Sequence, residues 1–117
     1  GRYFGRQGTL ADGTPAKWVA VRVDERHANI WGYCHGAALS GFAEIATSAS
    51  AYTPGGAPVV IVDLSMQFMA APVLGDLLEI ATWATRRTRS LVFVQARAEV
   101  NGKVVFTASA IHKVVAA

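Results

Sequence analysis

The sequence is poor in cysteine and in charged side chains. Cys34 is the only cysteine among 117 residues, which excludes an internal disulfide and a cysteine metal cluster. Only 16% of the residues are charged, against about 25% in an average soluble domain, while 52% are hydrophobic. A single domain of this length leaves part of such an apolar surplus on its surface. An interface between copies of the chain is the simplest way to bury it.

Long hydrophobic runs and long basic runs are also absent. Gly, Pro, Ser or a charge interrupts every apolar stretch before it reaches about 18 residues, which argues against a transmembrane helix. No basic and apolar leader stands at the start of the sequence, so we expect a cytoplasmic location. The net charge of +3 includes a cluster of Arg86, Arg87 and Arg89. A modest positive charge with one short basic cluster and no long basic run favours a small anionic ligand over nucleic acid.

The order of sequence patterns predicts one α+β domain over residues 1–117, with a five-stranded antiparallel sheet curved around one long helix. Residues 1–16 are rich in glycine and lack periodicity, so we interpret them as an N-terminal loop. Residues 17–24 alternate like a strand, and the Ala-rich run 37–52 predicts the helix. Four further strands are predicted at 59–69, 77–87, 91–100 and 104–115. The turn signal Asn101-Gly102 makes the last three an antiparallel meander.

Glu44 is the only formally charged residue between Arg26 and Asp63, and it falls in the middle of the predicted helix. Its neighbours one turn away are hydroxyl and glycine residues, with no cation to pair with. A buried carboxylate without a partner costs several kcal/mol, and its presence would indicate a functional site. The alternative is that Glu44 points into solvent on an exposed stripe of the helix.

A polar, glycine-containing segment precedes the predicted helix and includes Asn29, His35 and Gly36. A helix N-terminus presents unpaired N–H groups and about half a positive charge, which stabilise an oxyanion forming on a carbonyl. Gly36 lets a ligand approach that backbone closely. The alternative is an ordinary capping loop that only satisfies the start of the helix.

Gly36 and Glu44 are eight residues apart, which is about 12 Å along a regular helix. A group that attacks a carbonyl lies within about 3–3.5 Å of it. The two residues of one chain are therefore too far apart to serve the same carbonyl. If both are catalytic, antiparallel helices of a two-fold dimer bring Gly36 of one subunit to Glu44 of the other.

The remaining reactive residue types form no recognisable site. Cys34 and His35 are adjacent, and since neighbouring side chains diverge, we interpret Cys34 as a buried structural thiol. No metal site is expected, because His27, His35 and His112 lack ligand spacing. Ser40, Ser48 and Ser50 have no nucleophile-elbow context, so we do not propose a serine hydrolase. The arginine cluster either binds phosphates or forms a solvated turn that protects a sheet edge.

The motif Asn29-x-x-Gly32-x-x-His35-Gly36, a carboxylate nine residues after His35, and the segment 62–76 that ends in Gly75-Asp76 are typical of one family. Together they resemble the hotdog-fold thioesterases of the phenylacetate-degradation (PaaI-like) and hydroxybenzoyl-CoA type. The resemblance covers about residues 19–115. It implies a sheet wrapped around the long helix, dimers that usually pair into tetramers, and active sites across the dimer interface.

The resemblance also implies roles for individual residues. Glu44 corresponds to the catalytic carboxylate, acting as nucleophile or general base, and Gly36 to the residue whose N–H polarises the thioester carbonyl. Asn29 corresponds to the amide that places the carbonyl or the water, and His35 to the histidine that organises the loop. Ser48 corresponds to a hydroxyl that assists water or substrate. Arg86, Arg87 and Arg89 lie where relatives meet the phosphates of coenzyme A, which is part of the substrate; no separate cofactor is implied.

Three positions depart from the family pattern. Ala37 replaces a second glycine after His35, Glu44 stands where many relatives have Asp, and Ile61 occupies a position where some have serine. The leading hypothesis is hydrolysis of an acyl-CoA thioester. A non-catalytic acyl-CoA or acyl-carrier binding module is the alternative, and a hydratase ranks last because no Asp and His pair has suitable spacing. Aromatic or medium-length acyl groups are weakly favoured by the aromatic residues near the helix.

Overall fold

The computed structural model describes residues 3–115, which contain one long helix, a short 3-10 helix (Glu25–His27) and six strands. The strands are β1 (Tyr3–Thr9), β2 (Pro15–Arg22), β3 (Val59–Phe68), β4 (Leu77–Arg87), β5 (Leu91–Val100) and β6 (Lys103–Val114), and the helix is α1 (Gly36–Ala51). They form a single antiparallel sheet in the order β1-β2-β4-β5-β6-β3, with α1 packed on one face. The predicted α+β class, with one long helix, is confirmed.

The prediction that residues 1–16 form a loop is wrong, and the sheet has six strands rather than five. β1 pairs with β2 along its whole length, from Tyr3 opposite Val21 to Thr9 opposite Pro15. Its side chains are almost all exposed, so the strand leaves no hydrophobic alternation in the sequence and is held by its backbone ladder. Residues 1 and 2 of the predicted loop lie outside the described residues.

The turn between β1 and β2 explains the glycine content that suggested a loop. Gly13 has a φ of +89°, a conformation that favours glycine, and its N–H donates to the carbonyl oxygen of Leu10. The N–H of Thr14 donates to Asp12 Oδ1 at 2.9 Å. These bonds close a tight connection between two strands, which single-sequence periodicity does not reveal.

The other predicted elements agree with the structure to within about two residues at each end, which is the usual uncertainty of element boundaries. The helix begins at Gly36 and ends at Ala51, one residue earlier at each end than predicted. The meander β4-β5-β6 is confirmed. Asn101 and Gly102 connect β5 to β6 with φ angles of +52° and +79°, which are the positive values that a tight hairpin turn of this sequence requires.

The two halves of α1 contact the sheet differently. Leu39 and Phe42, near the N-terminal end, are buried with the aliphatic core of the sheet. Farther along, the buried residues are three alanines and one threonine: Ala43, Ala46, Thr47 and Ala51. Alanine methyl groups allow the helix to lie close to the sheet, but they interlock little with the side chains beneath them. The second half therefore depends more on other contacts for its position.

Those contacts come from four polar side chains of the sheet, called here the helix anchors: Lys17 of β2, Thr82 and Arg87 of β4, and His112 of β6. Thr82 Oγ1 lies 2.6 Å from Ser50 Oγ and donates to the carbonyl oxygen of Ala46 at 3.2 Å. His112 Nε2 lies 2.9 Å from Thr47 Oγ1. Both anchors are fully buried, so these hydrogen bonds compensate the cost of removing Thr82 Oγ1 and His112 Nε2 from water.

The remaining two anchors are cations at the C-terminal end of α1. Lys17 Nζ donates to the carbonyl oxygen of Ala49 at 2.7 Å. Arg87 donates to the carbonyl oxygens of Ala51 at 2.9 Å and Ser50 at 3.2 Å. The last carbonyls of a helix have no partners within the helix and carry its negative dipole end, so both cations stabilise this end.

His112 generates a prediction about acid stability. Burial lowers the pKa of its imidazole, and the nearby charge of Glu44 opposes that shift only in part. The unfolded chain therefore binds the His112 proton near the ordinary pKa of about 6.5, while the folded chain binds it only at lower pH. The contribution of His112 to the free energy of unfolding should be complete above that pH and should decrease as the pH falls towards the folded-state pKa.

Urea unfolding at about pH 7.5 and about pH 5.5, above the range in which ordinary carboxylates titrate, measures this loss. The protein concentration is kept constant because any self-association would shift the midpoint. The variant His112→Gln removes the titrating group, so its midpoint should change less between the two pH values. An equal change in the variant would contradict the prediction.

Candidate functional site

The loop before α1 is organised by Asn29. Its Oδ1 accepts hydrogen bonds from the N–H groups of Trp31 at 2.9 Å and Tyr33 at 3.2 Å. Gly32, inside this turn, has a φ of +81° and accepts a backbone hydrogen bond from Leu74 on the neighbouring loop. The oxygen of Asn29 is therefore used within its own turn, where it fixes the path of the chain towards the helix.

His35 is the N-cap residue of α1, and it leaves the helix N-terminus open. Its backbone is extended, its side chain makes no capping hydrogen bond, and its carbonyl oxygen accepts the first helical bond, from Leu39. The N–H groups of Gly36, Ala37 and Ala38 consequently have no hydrogen-bond acceptor within residues 3–115. An open helix N-terminus of this kind accepts an anion or a polarised carbonyl oxygen.

Glu44 lies two turns farther along α1 and is exposed. In the described part of the chain its carboxylate makes neither an ion pair nor a hydrogen bond. It opens onto a groove of about 560 Å³, called here the Glu44 groove, between α1 and the edge strand β3. The lining residues are Ala37, Ser40, Gly41 and Glu44 of α1 and residues 61–64 of β3. In the single chain, Glu44 is thus a solvent-exposed carboxylate, as the alternative interpretation expected.

The hydroxyl of Ser48 is directed at the backbone of the same turn. Its Oγ donates to the carbonyl oxygen of Glu44 at 2.7 Å, and Ser40 Oγ donates in the same way to the carbonyl oxygen of Gly36 at 2.9 Å. Both hydroxyls use their protons within the helix and keep lone pairs as acceptors; Ser40 lines the Glu44 groove, and Ser48 lies one turn beyond Glu44.

A second, apolar groove of about 390 Å³ lies beside the N-terminus of α1 and is called here the Gly36 groove. Its lining combines Cys34, Gly36 and Leu39 with residues 68–71 at the end of β3. β3 thus runs from the Glu44 groove to the Gly36 groove. The structure gathers Asn29, His35 and Gly36 at one end of the helix, with Glu44 and Ser48 at its middle.

The arginine cluster lies at the opposite end of α1, where β4 ends. Arg87 is bonded to the C-terminal carbonyls of the helix, as described above. Arg86 and Arg89 are exposed, and neither makes an ion pair or a side-chain hydrogen bond within residues 3–115. The three arginines therefore differ, because one has a structural partner and two present free guanidinium groups.

Two residues of this region received no role from the sequence. Asp63 is an exposed carboxylate that lines the Glu44 groove beside a bulge in β3 at residue 62, and nothing in the sequence marks that bulge. His112 is buried beneath α1. The sequence could have predicted the burial of His112, since Phe106, Ala108 and Ala110 precede it at alternate positions on the buried face of β6.

Cys34 is buried, in agreement with its interpretation as a structural thiol. Burial raises the pKa of the Cys34 thiol, so the reactive thiolate is disfavoured. No three His, Cys, Asp or Glu side chains within residues 3–115 lie together as metal ligands would. In the same part of the chain, no helix is both long and apolar enough to cross a membrane.

Comparison with known proteins places this architecture in a family. The thioesterase superfamily matches residues 32–107. A Pseudomonas aeruginosa protein named as an esterase is 33% identical over 97 residues, which cover 80% of this chain and 71% of that protein. Human acyl-coenzyme A thioesterase 13 is 31% identical over 87 residues, which cover 73% of this chain and 62% of that protein. The chain thus spans less than two thirds of the length of the human relative.

The fold has a close structural counterpart as well. The E. coli PaaI protein from the phenylacetic acid degradation operon superposes with a TM-score of 0.77 at 16% identity, over 86% of this chain and 73% of that chain. The predicted resemblance to PaaI-like proteins is confirmed at the level of the fold. With one long helix packed on an antiparallel sheet and with the family match across that region, the chain belongs to the thioesterase superfamily and has the predicted hotdog fold.

Proposed function

We propose that this protein hydrolyses an acyl-CoA thioester to a free acid and coenzyme A, at a site formed by two copies of the chain. The observation that carries the proposal is the pairing, on one helix, of an uncapped N-terminus at Gly36 with an unpartnered carboxylate at Glu44. Membership of the thioesterase superfamily and similarity to a protein named as an acyl-coenzyme A thioesterase support the same reaction.

The helix N-terminus supplies the electrostatic part of the reaction. The thioester carbonyl oxygen accepts a hydrogen bond from the Gly36 N–H, where the positive dipole end of α1 stabilises the negative charge that develops on it. Asn29 and His35 act indirectly, because they fix the loop that delivers Gly36 to this position. The apolar Gly36 groove accommodates the acyl group next to the reacting carbonyl.

Glu44 of the second chain supplies the base. Its carboxylate takes a proton from water as the water oxygen attacks the carbonyl carbon, and Ser48 accepts a hydrogen bond from that water. When the tetrahedral intermediate collapses, the C–S bond breaks and the leaving thiolate recovers the proton from Glu44. Direct attack by the carboxylate, followed by hydrolysis of the mixed anhydride, gives the same products.

Two features support the arrangement of two chains. A two-fold axis that brings Gly36 to the partner's Glu44 passes near Ser40 and Gly41, whose small side chains allow two helices to approach closely. β3 is an edge strand with unpaired backbone groups and with exposed Val60 and Val62. A second copy of this strand covers both the backbone edge and the apolar surface.

Replacing Glu44 with Gln should abolish the base while conserving volume. We expect kcat for thiol release from acyl-CoA to fall about 100-fold or more, which is the usual contribution of a general base. The measurement uses a chromogenic thiol reagent with a panel of aromatic and straight-chain acyl-CoAs. Unchanged turnover in the folded variant would refute the role of Glu44.

The same panel tests the alternative of a binding module. The apolar Ile61 in the Glu44 groove favours that alternative, since β3 offers no hydroxyl at this position to assist the reaction. Binding of acyl-CoA by the wild-type protein without thiol release from any substrate would select it.

Gly36→Pro tests the oxyanion donor with little disturbance of the helix. Gly36 is the first helical residue, where proline removes only an N–H that has no helical acceptor. His35, with φ −63° and ψ +141°, already has the conformation that a residue before proline prefers. We expect kcat to fall about 100-fold. Gly36→Ala, which keeps the N–H and whose added Cβ meets no atom of the chain within 4 Å, is the matched control.

Mixed dimers decide whether the site spans two chains. A dimer of one Gly36→Pro chain and one Glu44→Gln chain, isolated with two different affinity tags, contains one intact composite site and one doubly altered site. We expect about half of the wild-type activity per dimer, although each parent homodimer is nearly inactive. A mixed dimer as inactive as its parents would refute the shared site.

Arg86 and Arg89 are proposed to bind the phosphates of coenzyme A. Charge reversal to Glu at both positions should raise KM about tenfold with little change in kcat. A short thioester that lacks the nucleotide should be hydrolysed equally by the variant and the wild type. A raised KM of the Arg86 and Arg89 variant for the short thioester would contradict phosphate binding.

Arg87→Met should instead lower the melting temperature, because it removes hydrogen bonds to the C-terminal end of α1.

A further inference from the structure

We propose that His112 and Thr47 form a positioning pair that holds the turn of α1 carrying Glu44 at the distance from β3 that the reaction requires. This inference rests on the proposed function of Glu44. It assigns a role to a buried histidine that neither contacts substrate nor belongs to the residues that the sequence marked as catalytic.

The hydrogen-bond network assigns a direction to the bond between the two residues. Thr47 Oγ1 lies 2.8 Å from the carbonyl oxygen of Ala43, which can only accept, so its proton is assigned to that bond. We therefore assign His112 Nε2, 2.9 Å away, as the donor to Thr47 Oγ1, which places the proton of the neutral imidazole on Nε2. His112 Nδ1 is buried and has no hydrogen-bond partner in the part of the chain that the structure describes.

This bond attaches the Glu44 turn to the sheet. Besides its bond to Ala43, Thr47 Oγ1 lies 3.3 Å from the carbonyl oxygen of Glu44 itself. The Glu44 carboxylate has no partner within residues 3–115, so the backbone of its turn sets where it points. Ala43 and Ala46, the buried neighbours of Glu44, offer little to interlock with the sheet. The hydrogen bond from His112 thus attaches a side chain of this turn to the sheet, beside the bond that Thr82 Oγ1 donates to the carbonyl oxygen of Ala46.

His112 also connects the two walls of the Glu44 groove. On β6 it lies directly across the ladder from Ile61 of β3, one residue before the bulge at Val62. Ile61 and Val62 line the groove on the strand side, and Glu44 lines it on the helix side. The His112 side chain therefore links the helix side of the groove to its strand side. The distance between these two sides determines where the Glu44 carboxylate lies relative to a bound substrate.

Core packing alone does not account for a histidine at this position. A leucine or valine would fill similar space without burying an imidazole nitrogen that has no partner, which costs free energy. The benefit that balances this cost is the hydrogen bond to Thr47. A side chain retained at a cost to stability is expected where function requires one defined position of a structural element.

The test compares variants that remove this hydrogen bond with variants that preserve it. In Thr47→Val and His112→Leu, we expect kcat to fall about tenfold while KM changes less than about twofold, since the misplaced carboxylate affects the reacting geometry and leaves substrate binding intact. Thr47→Ser keeps the hydroxyl, and His112→Gln keeps an N–H at about the reach of Nε2. Both should retain most of the wild-type kcat.

Ser50→Ala is the matched control. Ser50 Oγ also bonds to a buried threonine of the sheet, Thr82, but Ser50 is six residues beyond Glu44, about 9 Å along the helix. The variant keeps the hydrogen bond that Thr82 Oγ1 donates to the carbonyl oxygen of Ala46, close to Glu44. Ser50→Ala should lower the melting temperature as Thr47→Val does and should leave kcat near the wild-type value. An equal loss of kcat in Ser50→Ala would show that only general stability is affected and would overturn the proposal. Wild-type kcat in folded Thr47→Val and His112→Leu would overturn it as well.

Amide hydrogen exchange provides a readout that is independent of turnover. The amides of residues 44–48 should exchange faster in Thr47→Val and His112→Leu than in Ser50→Ala, because the turn has lost the attachment of Thr47 to the sheet. Equal exchange in all three variants would overturn the attachment. Absence of thiol release by the wild-type protein would instead refute the proposed function, so the two failures are distinguishable.

Discussion

The position of α1 on the sheet is the constraint on which the candidate site depends. Gly36, Glu44 and Ser48 all belong to this helix, so any shift of α1 moves the proposed oxyanion donor and the Glu44 carboxylate together. The half that carries Glu44 contacts the sheet largely through alanine. Its position is set by hydrogen bonds from the helix anchors, which are directional where alanine contacts are not.

The two ends of α1 differ in whether their free backbone groups have hydrogen-bond partners. Two cations from the sheet occupy the C-terminal carbonyls, while the N-terminal N–H groups have no acceptor in the described part of the chain. The negative end of the helix is thereby neutralised within the protein, and the positive end is left for a ligand. A carbonyl oxygen that becomes negative during a reaction is the natural occupant of such an end.

Local patterns predicted most of the fold. β4 and β5 have the predicted limits, because their apolar residues and the Asn101-Gly102 turn are strong local signals. β1 escaped prediction because an exposed edge strand buries almost nothing and is held by backbone bonds that carry no side-chain signature. The attachment of α1 to the sheet could not be predicted for a different reason. His112 and Thr47 are 65 residues apart, and a pairing at that separation leaves no periodic trace.

The candidate site was predictable as a set of residues but not as an arrangement. The motif around Asn29 and Gly36 marks the helix start, and isolation in an apolar run marks Glu44. If both residues are catalytic, their separation along one helix requires a second chain. What the sequence did not reveal is that Arg87, one of three similar arginines, is bonded to the helix, because neighbouring residues at a strand end point in different directions.

The order of strands has a consequence for the synthesis of the chain. β3 follows α1 in sequence but, among the strands of residues 3–115, pairs only with β6, and Val59 faces Val114 across the ladder. As the ribosome releases the chain, the helix and β3 therefore have an incomplete sheet beneath them until β6 has emerged. Packing of α1 against His112 of β6 is then a late event, because it closes a loop of 65 residues between Thr47 and His112. It is slower than the formation of the local hairpins. Until that moment the nascent chain exposes the apolar faces of α1 and β3, which makes this interval the one in which aggregation competes most strongly with folding.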